Sequence, residues 1–158
     1  MAEILYAADS TVYETVRDTL VTGITAIDWT GVSPLISYVY DGHCKADMTF
    51  NAVSVGLTAV QQEHVGQKSS PTGPIINHGI QVELRIHTAV AGRYNDRELF
   101  WRLANSLSNW LGRHNKLASQ MHIIEPGQIE DDLTFEDSDT VGGNIIFTVL
   151  WTTGQEAA

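Results

Sequence analysis

Between Ile80 and Val90 the chain alternates: Val82, Leu84, Ile86, Thr88 and Val90 fall on one side, and Glu83, Arg85 and His87 on the other. A period of two with one apolar side predicts a strand with a core face and a wet face, as an antiparallel sheet permits. The period then changes. After AGRYNDRE, the residues Leu99, Leu103, Leu107, Trp110 and Leu111 recur at helical spacing. Asn95 with Glu98 three residues on makes a capping pair, Asp96 and Glu98 complement the positive end of the helix dipole, and Gly112 with Arg113 closes the element. Phe100 and Trp101 widen its apolar stripe beyond what simple two-layer packing requires.

Elsewhere the pattern is weaker. Thr11 to Gly23 reads as a first helix: Thr11 and Glu14 fit a capping box, Tyr13, Val16 and Leu20 share a face, and Gly23 stops it. Leu35 to Tyr40 and Asp47 to Leu57 are β-rich runs on either side of Asp41-Gly42, which predicts an antiparallel pair joined by a loop through His43 and Cys44. Gln61 to Gly79 (QQEHVGQKSSPTGPIINHG) has no period and reads as a long flexible loop, an arm that orders on a partner. After a short strand at Met121 to Ile124 and a break at Pro126-Gly127 comes the acidic loop QIEDDLTFEDSDTVGG. The last element, Asn144 to Thr152, is apolar on both faces, with Ile145, Phe147, Val149 and Trp151 on one and Ile146 and Leu150 on the other. Such a strand belongs in a sheet interior or has its second face covered by a neighbouring subunit. The order predicts one α+β domain over residues 1–158: a small, mostly antiparallel sheet packed by an N-terminal helix and one long amphipathic helix.

Charge sharpens this picture. The last basic residue is Lys116, and the eight carboxylates that follow (Glu125, Glu130, Asp131, Asp132, Glu136, Asp137, Asp139 and Glu156) account for most of the net charge of −10. A segment so negative repels phosphate and suits a basic protein surface, a cation or water. Lys and Arg total nine and never cluster, so no direct nucleic-acid grip is expected. No apolar run is long enough for a membrane span, the N-terminus lacks the pattern of a secretory leader, and the single Cys44 excludes an internal disulfide; a cytosolic setting is the expectation.

Signatures of chemistry are sparse. GxGxxG, GxxxxGK, GxSxG, CxxC and HExxH are all absent. His43-Cys44 could pair a thiolate with a base, but adjacent side chains point apart, and a turn histidine beside a buried thiol is the simpler reading. His64, His78, His87, His114 and His122 are scattered, and His87 shares the polar side of its strand with Glu83 and Arg85. The acidic run fits no EF-hand register; a looser surface calcium site would use Asp131, Asp137 and Asp139. No catalytic residue, cofactor or resident metal is expected.

The segments ELRIHTAVAGRYNDRELFWRLANSLSNWL and DLTFEDSDTVGGNIIFTVLWTT together resemble the tail terminator, or tail completion, proteins of long-tailed bacteriophages. The resemblance covers about residues 80 to 153 and, in element order alone, the first eighty. It implies a virion structural protein of the neck: a ring, usually a hexamer, that caps the tail tube, stops its growth and presents a surface to the head connector or stopper protein. Head-completion stoppers and other neck or tube proteins share the same outline. The reading from another class is a small-molecule binding or enzymatic α+β domain whose pocket uses His87, Arg85 and the acidic loop. Under the assembly reading, Phe100, Trp101, Asp131, Asp132, Asp137, Asp139 and Trp151 are the candidate interface residues, the aromatic groups holding protomers together while charge sets partner choice.

Overall fold

The computed structural model describes residues 12–29, 36–43, 48–70, 73–93, 96–116, 121–125 and 127–153. Among the described residues two helices, α1 (Val12–Thr25) and α2 (Arg97–Arg113), accompany six strands: β1 (Tyr38–Asp41), β2 (Ala52–Ser70), β3 (Gly73–Val90), β4 (Met121–Glu125), β5 (Ile129–Phe135) and β6 (Thr140–Thr153). They form one sheet in the order β1-β2-β3-β6-β4, with β5 also pairing β6. The sheet is not small: strands dominate the chain and the sheet curls into a half-barrel, which overturns the expected arrangement of a minor sheet packed by one long helix.

The main cause is the segment 61–79. The backbone pairs across it from Ala52↔His87 to Ser70↔Gly73, so β2 and β3 are a single long antiparallel hairpin. β3 pairs along the same length with β6, from Ile76↔Thr153 to Val90↔Thr140. Polar residues do not prevent a strand whose ladder is satisfied on its neighbour. A second correction concerns β1, which pairs β2 in parallel and only over Ala52–Val55; the Asp41-Gly42 pair bends the chain without making a hairpin. The acidic stretch is likewise strand and turn. β5 lies along the edge of β6, with a bulge between Glu130 and Leu133 where Asp132 takes φ 57°, a left-handed conformation that Asp tolerates.

β6 is interior to the sheet, flanked by β3 on one side and by β4 and β5 on the other. Its residues Ile145, Phe147, Val149 and Trp151 join Val82, Leu84 and Ile86 of β3 and Val53 and Val55 of β2 in one core. Both helices cover this face. α1 contributes Val12, Val16, Leu20 and Ile24, each a turn apart, against β1 and β2; burying Ile24 carries the helix past Gly23 to Thr25. α2 contributes Phe100, Leu103, Ala104, Leu107, Trp110 and Leu111 against β3 to β6. Asp96 caps α2 by accepting the Leu99 N–H at 3.1 Å, while Asn95 and Thr11, the expected caps, lie outside the described residues. Two glycines of β6 permit close packing: a Cβ on Gly143 would meet the Phe100 ring at 2.4 Å, and one on Gly142 would meet the Ile86 carbonyl oxygen at 1.8 Å. No described helix is long and apolar enough to cross a membrane.

Candidate functional site

On the face opposite the helices, the residues expected to be wet are covered to different degrees: the Glu83 and Arg85 side chains keep 14% and 19% of their surface exposed. His87 has no exposed surface, and neither has Ser54 of β2. The register explains the grouping: Ser54 sits beside Arg85, and Arg85 beside Asn144, in one row across β2, β3 and β6, while His87 lies one row on beside Gly142. Two pieces of chain cover them. Gly42–His43 folds back so that the His43 ring lies on Gly56, where a Cβ would come within 2.1 Å of Nε2. The turn between β5 and β6 brings Phe135, Asp137 and Ser138 over β3, with the Phe135 ring 5.0 Å from the His87 ring and 4.8 Å below the Arg85 guanidinium carbon.

Five polar side chains run in series through this cluster. His43 Nδ1 is 2.9 Å from Ser54 Oγ, which is 2.7 Å from His87 Nε2. His87 Nδ1 bonds Thr140 Oγ1, which lies 2.9 Å from Ser138 Oγ. Burial pushes both imidazoles down to about 4, with the positive charge of Arg85 adding to the effect on each and the neighbouring ring of His43 adding to that on His87. Both rings are therefore neutral at physiological pH.

Arg85 is the cation of the cluster. Its Nε donates to Glu83 at 2.8 Å, and its Nη1 reaches both oxygens of Asp137 at 2.7 Å. Burial opposes its charge, but these two carboxylates more than compensate and raise its pKa. Burial likewise opposes the Asp137 charge, and the Arg85 hydrogen bond and charge outweigh it, so that carboxyl sits below the usual range. Asn144 donates to Glu83 through Nδ2 at 3.3 Å, while its Oδ1 is buried with no hydrogen-bond partner among the described residues. A serine between two neutral imidazoles has the contacts for proton transfer. Ser54 and His87 have no exposed surface, and their contacts join backbone segments far apart in sequence.

The candidate interface residues separate into distinct environments. Phe100 is fully buried and Trp151 is 8% exposed, both in the chain's own core. Trp101 is 44% exposed and donates its indole N–H to Asp131 at 2.9 Å. Arg97 bonds Asp132 at 2.6 Å, so the β5 bulge turns its two carboxylates to the start of α2. The structure thus brings together Trp101, Asp131 and Asp132. Asp137 is taken by Arg85, and Asp139, in the β5–β6 turn at φ 52°, accepts the Ala91 N–H through its carbonyl. Among the described residues no group of three or more His, Cys, Asp or Glu could hold a metal ion, so the loose calcium arrangement of Asp131, Asp137 and Asp139 is not assembled. Cys44 lies outside the described residues.

Of the other histidines, His78 is buried against Tyr13 and His114 stacks on Trp110 at 4.8 Å. Sequence reasoning missed Ser54, Thr140, Ser138, Asn144 and Arg97. The one available signal was Ser54 itself, a small polar residue set between Val53 and Val55 in an otherwise apolar run. No protein-family model matches the chain, and no curated protein matches it.

Proposed function

We propose that this chain is a structural protein of the bacteriophage virion neck, of the tail terminator type. It forms a ring on the end of the tail tube, stops tube growth and offers the head connector or stopper protein a joining surface. Assembly takes place in the host cytoplasm, and the chain performs no catalysis. The observation that carries the reading is the outer edge of β2. β1 covers that edge only over Ala52–Val55, and from Gly56 to Ser70 no described strand pairs with it. A long uncovered edge invites another strand.

The contrast with the opposite edge supports this use. That edge is shared by β4 and β5, and along its β5 part Glu130, Asp131 and Asp132 and a bulge are the devices that discourage edge-to-edge pairing. Between Gly56 and Ser70 the sequence holds only Glu63 and Lys68 as formal charges and no proline. The open β2 edge would serve as one of the two unlike surfaces through which each subunit of a ring meets its two neighbours. The competing reading of a ligand pocket around His87 and Arg85 has little to stand on, because Ser54 and His87 have no exposed surface.

Electron microscopy of particles made without the protein tests the role: overlong tails, or tails that never join heads, are expected, and normal particles would refute it. Proline tests the edge. In an antiparallel ladder the N–H groups of adjacent residues point to opposite sides, so of Gln61→Pro and Gln62→Pro one breaks the β2–β3 hairpin and the other removes only an outward N–H. The second is expected to fold and to lose self-association in light scattering; undiminished assembly by both variants would sink the edge-pairing account.

A further inference from the structure

The series from His43 to Ser138 joins three pieces of backbone: the turn after β1, the middle of the sheet and the β5–β6 turn. Proton counting constrains it. A neutral imidazole has one N–H and one lone pair, and a hydroxyl has one O–H. With the Ser54 and Thr140 hydroxyl hydrogens both used inside the series, all four bonds are satisfied only when they point the same way. Either His43 Nδ1 donates to Ser54, Ser54 to His87 Nε2, His87 Nδ1 to Thr140 and Thr140 to Ser138, or every bond reverses.

Protons disturb this order stepwise. A first proton on His87 makes both its nitrogens donors, and Ser54 must turn to donate to His43 Nδ1. A second proton, on His43, leaves the Ser54 oxygen facing two N–H groups with its own hydrogen displaced. Two imidazolium rings then share one oxygen beside the Arg85 cation. The nearby carboxylates cannot compensate freely: Glu83 and Asp137 are already engaged by Arg85, and Glu83 also receives Asn144. His43 Nε2 is buried with no hydrogen-bond partner among the described residues, so a proton placed there finds no acceptor among them.

We propose that the series His43–Ser54–His87–Thr140–Ser138 is an acid-sensitive clasp. With both imidazoles neutral it fastens Gly42–His43 and the β5–β6 turn onto the middle of the sheet; with both protonated it lets them go while the helix-covered core stays packed. The charged groups that face the two rings are Arg85 and Glu83 on β3 and Asp137 in the β5–β6 turn; α1 and α2 pack on the other face. Arg85 opposes protonation, and the two carboxylates favour it only as far as their bonds to Arg85 leave them charge to offer. Release is therefore expected in acid and not near neutrality. This inference does not rest on the assembly reading, since every contact lies within one protomer.

Side-chain nitrogen NMR of the whole chain tests it, following the histidine rings from about pH 7.5 to about pH 3. His43 and His87 are expected to stay neutral down to about pH 5.5 and there to show the same tautomer, both Nδ1–H or both Nε2–H, as a one-way series demands. As they charge, amide exchange at Gly42, His43 and residues 136–139 is expected to rise at least about tenfold beyond its intrinsic pH dependence, ahead of the core strands. His87→Gln, which bonds without titrating, should move that opening to lower pH, while His122→Gln, at an exposed position, should not. Opposite tautomers, titration at the ordinary histidine pKa, or full protonation without local opening would each overturn the proposal. If His87→Gln fails to fold, the ring titration and exchange of the unmodified chain decide alone.

Discussion

Phe100→Ala separates core from interface at the residue where the sequence left the two open. The side chain has no exposed surface, meets the Trp101 ring edge-on at 5.4 Å and fills the space that Gly143 leaves by lacking a Cβ. Removing a buried phenyl forfeits about 2 to 3 kcal/mol of transfer free energy. The cavity adds about 2 kcal/mol more, because Gly143 has no side chain to lean in and its backbone is held in β6 between β3 and β5. The expected loss is about 4 kcal/mol, a large part of the roughly 5 to 15 kcal/mol that holds a domain of this size. Urea denaturation followed by tryptophan fluorescence, run at two protein concentrations tenfold apart, would measure it. The loss should be the same at both concentrations, as befits a contact inside one protomer. A cost below about 1 kcal/mol, or one that appears only as a change in concentration dependence, would refute the packing argument and return Phe100 to the interface.

The neighbouring Trp101→Ala should cost less than about 1 kcal/mol in the same assay, since the ring is half-exposed and its bond to Asp131 is at the surface; its effect is expected in association, as at least a tenfold weakening by light scattering. Asp132→Asn should be nearly silent in stability because its Arg97 partner is exposed, whereas Asp137→Asn should cost about 1 kcal/mol by leaving the part-buried Arg85 with Glu83 as its one carboxylate; equal effects of the two would contradict the geometry. Gly142→Ala should lower the urea midpoint sharply, since the new Cβ would meet backbone, and a neutral result would mean that β3 and β6 lie farther apart. The folded pKa of His87, pushed down to about 4 from an ordinary 6.5, sets a sign: the unfolded chain binds more protons between these values, so the stability is full above about pH 6.5 and falls as pH drops toward 4. Between about pH 7.5 and pH 5 the loss from this group is about 2 kcal/mol, readable as a lower urea midpoint at pH 5; an unchanged midpoint would show that the ring is not buried neutral.

Local pattern carried far where each residue's fate depends on near neighbours. The helix α2 was legible because its apolar stripe, acidic first turn and closing Gly112-Arg113 all lie within one element. The core faces of β3 and β6 were legible for the same reason: Val82, Leu84 and Ile86, and Ile145, Phe147 and Val149, repeat at the strand period. The segment from Gln61 to Gly79 was not, because its pairing rests on register with distant backbone and its own composition argues for a loop. The direction of β1 was hidden similarly. Asp41-Gly42 marks a change of course, and nothing in those two residues says whether the next strand returns beside the first or runs with it.

The sequence by itself determined the core-facing rows Val82, Leu84 and Ile86 of β3 and Ile145, Phe147 and Val149 of β6, the apolar stripe of α2, and that negative charge gathers after Lys116. Only the tertiary structure decided what covers the polar side. Alternation assigns His87, Arg85 and Glu83 to one face, but whether that face meets water depends on the return of Gly42–His43 and of the β5–β6 turn across the sheet, contacts between residues far apart in sequence. The same distance separates Arg85 from Asp137 and Arg97 from Asp132, so part of the charge that reads as a free acidic run is already neutralised within the fold. A periodic pattern reports the direction of a side chain; its surroundings are set by which segments the folded backbone brings opposite.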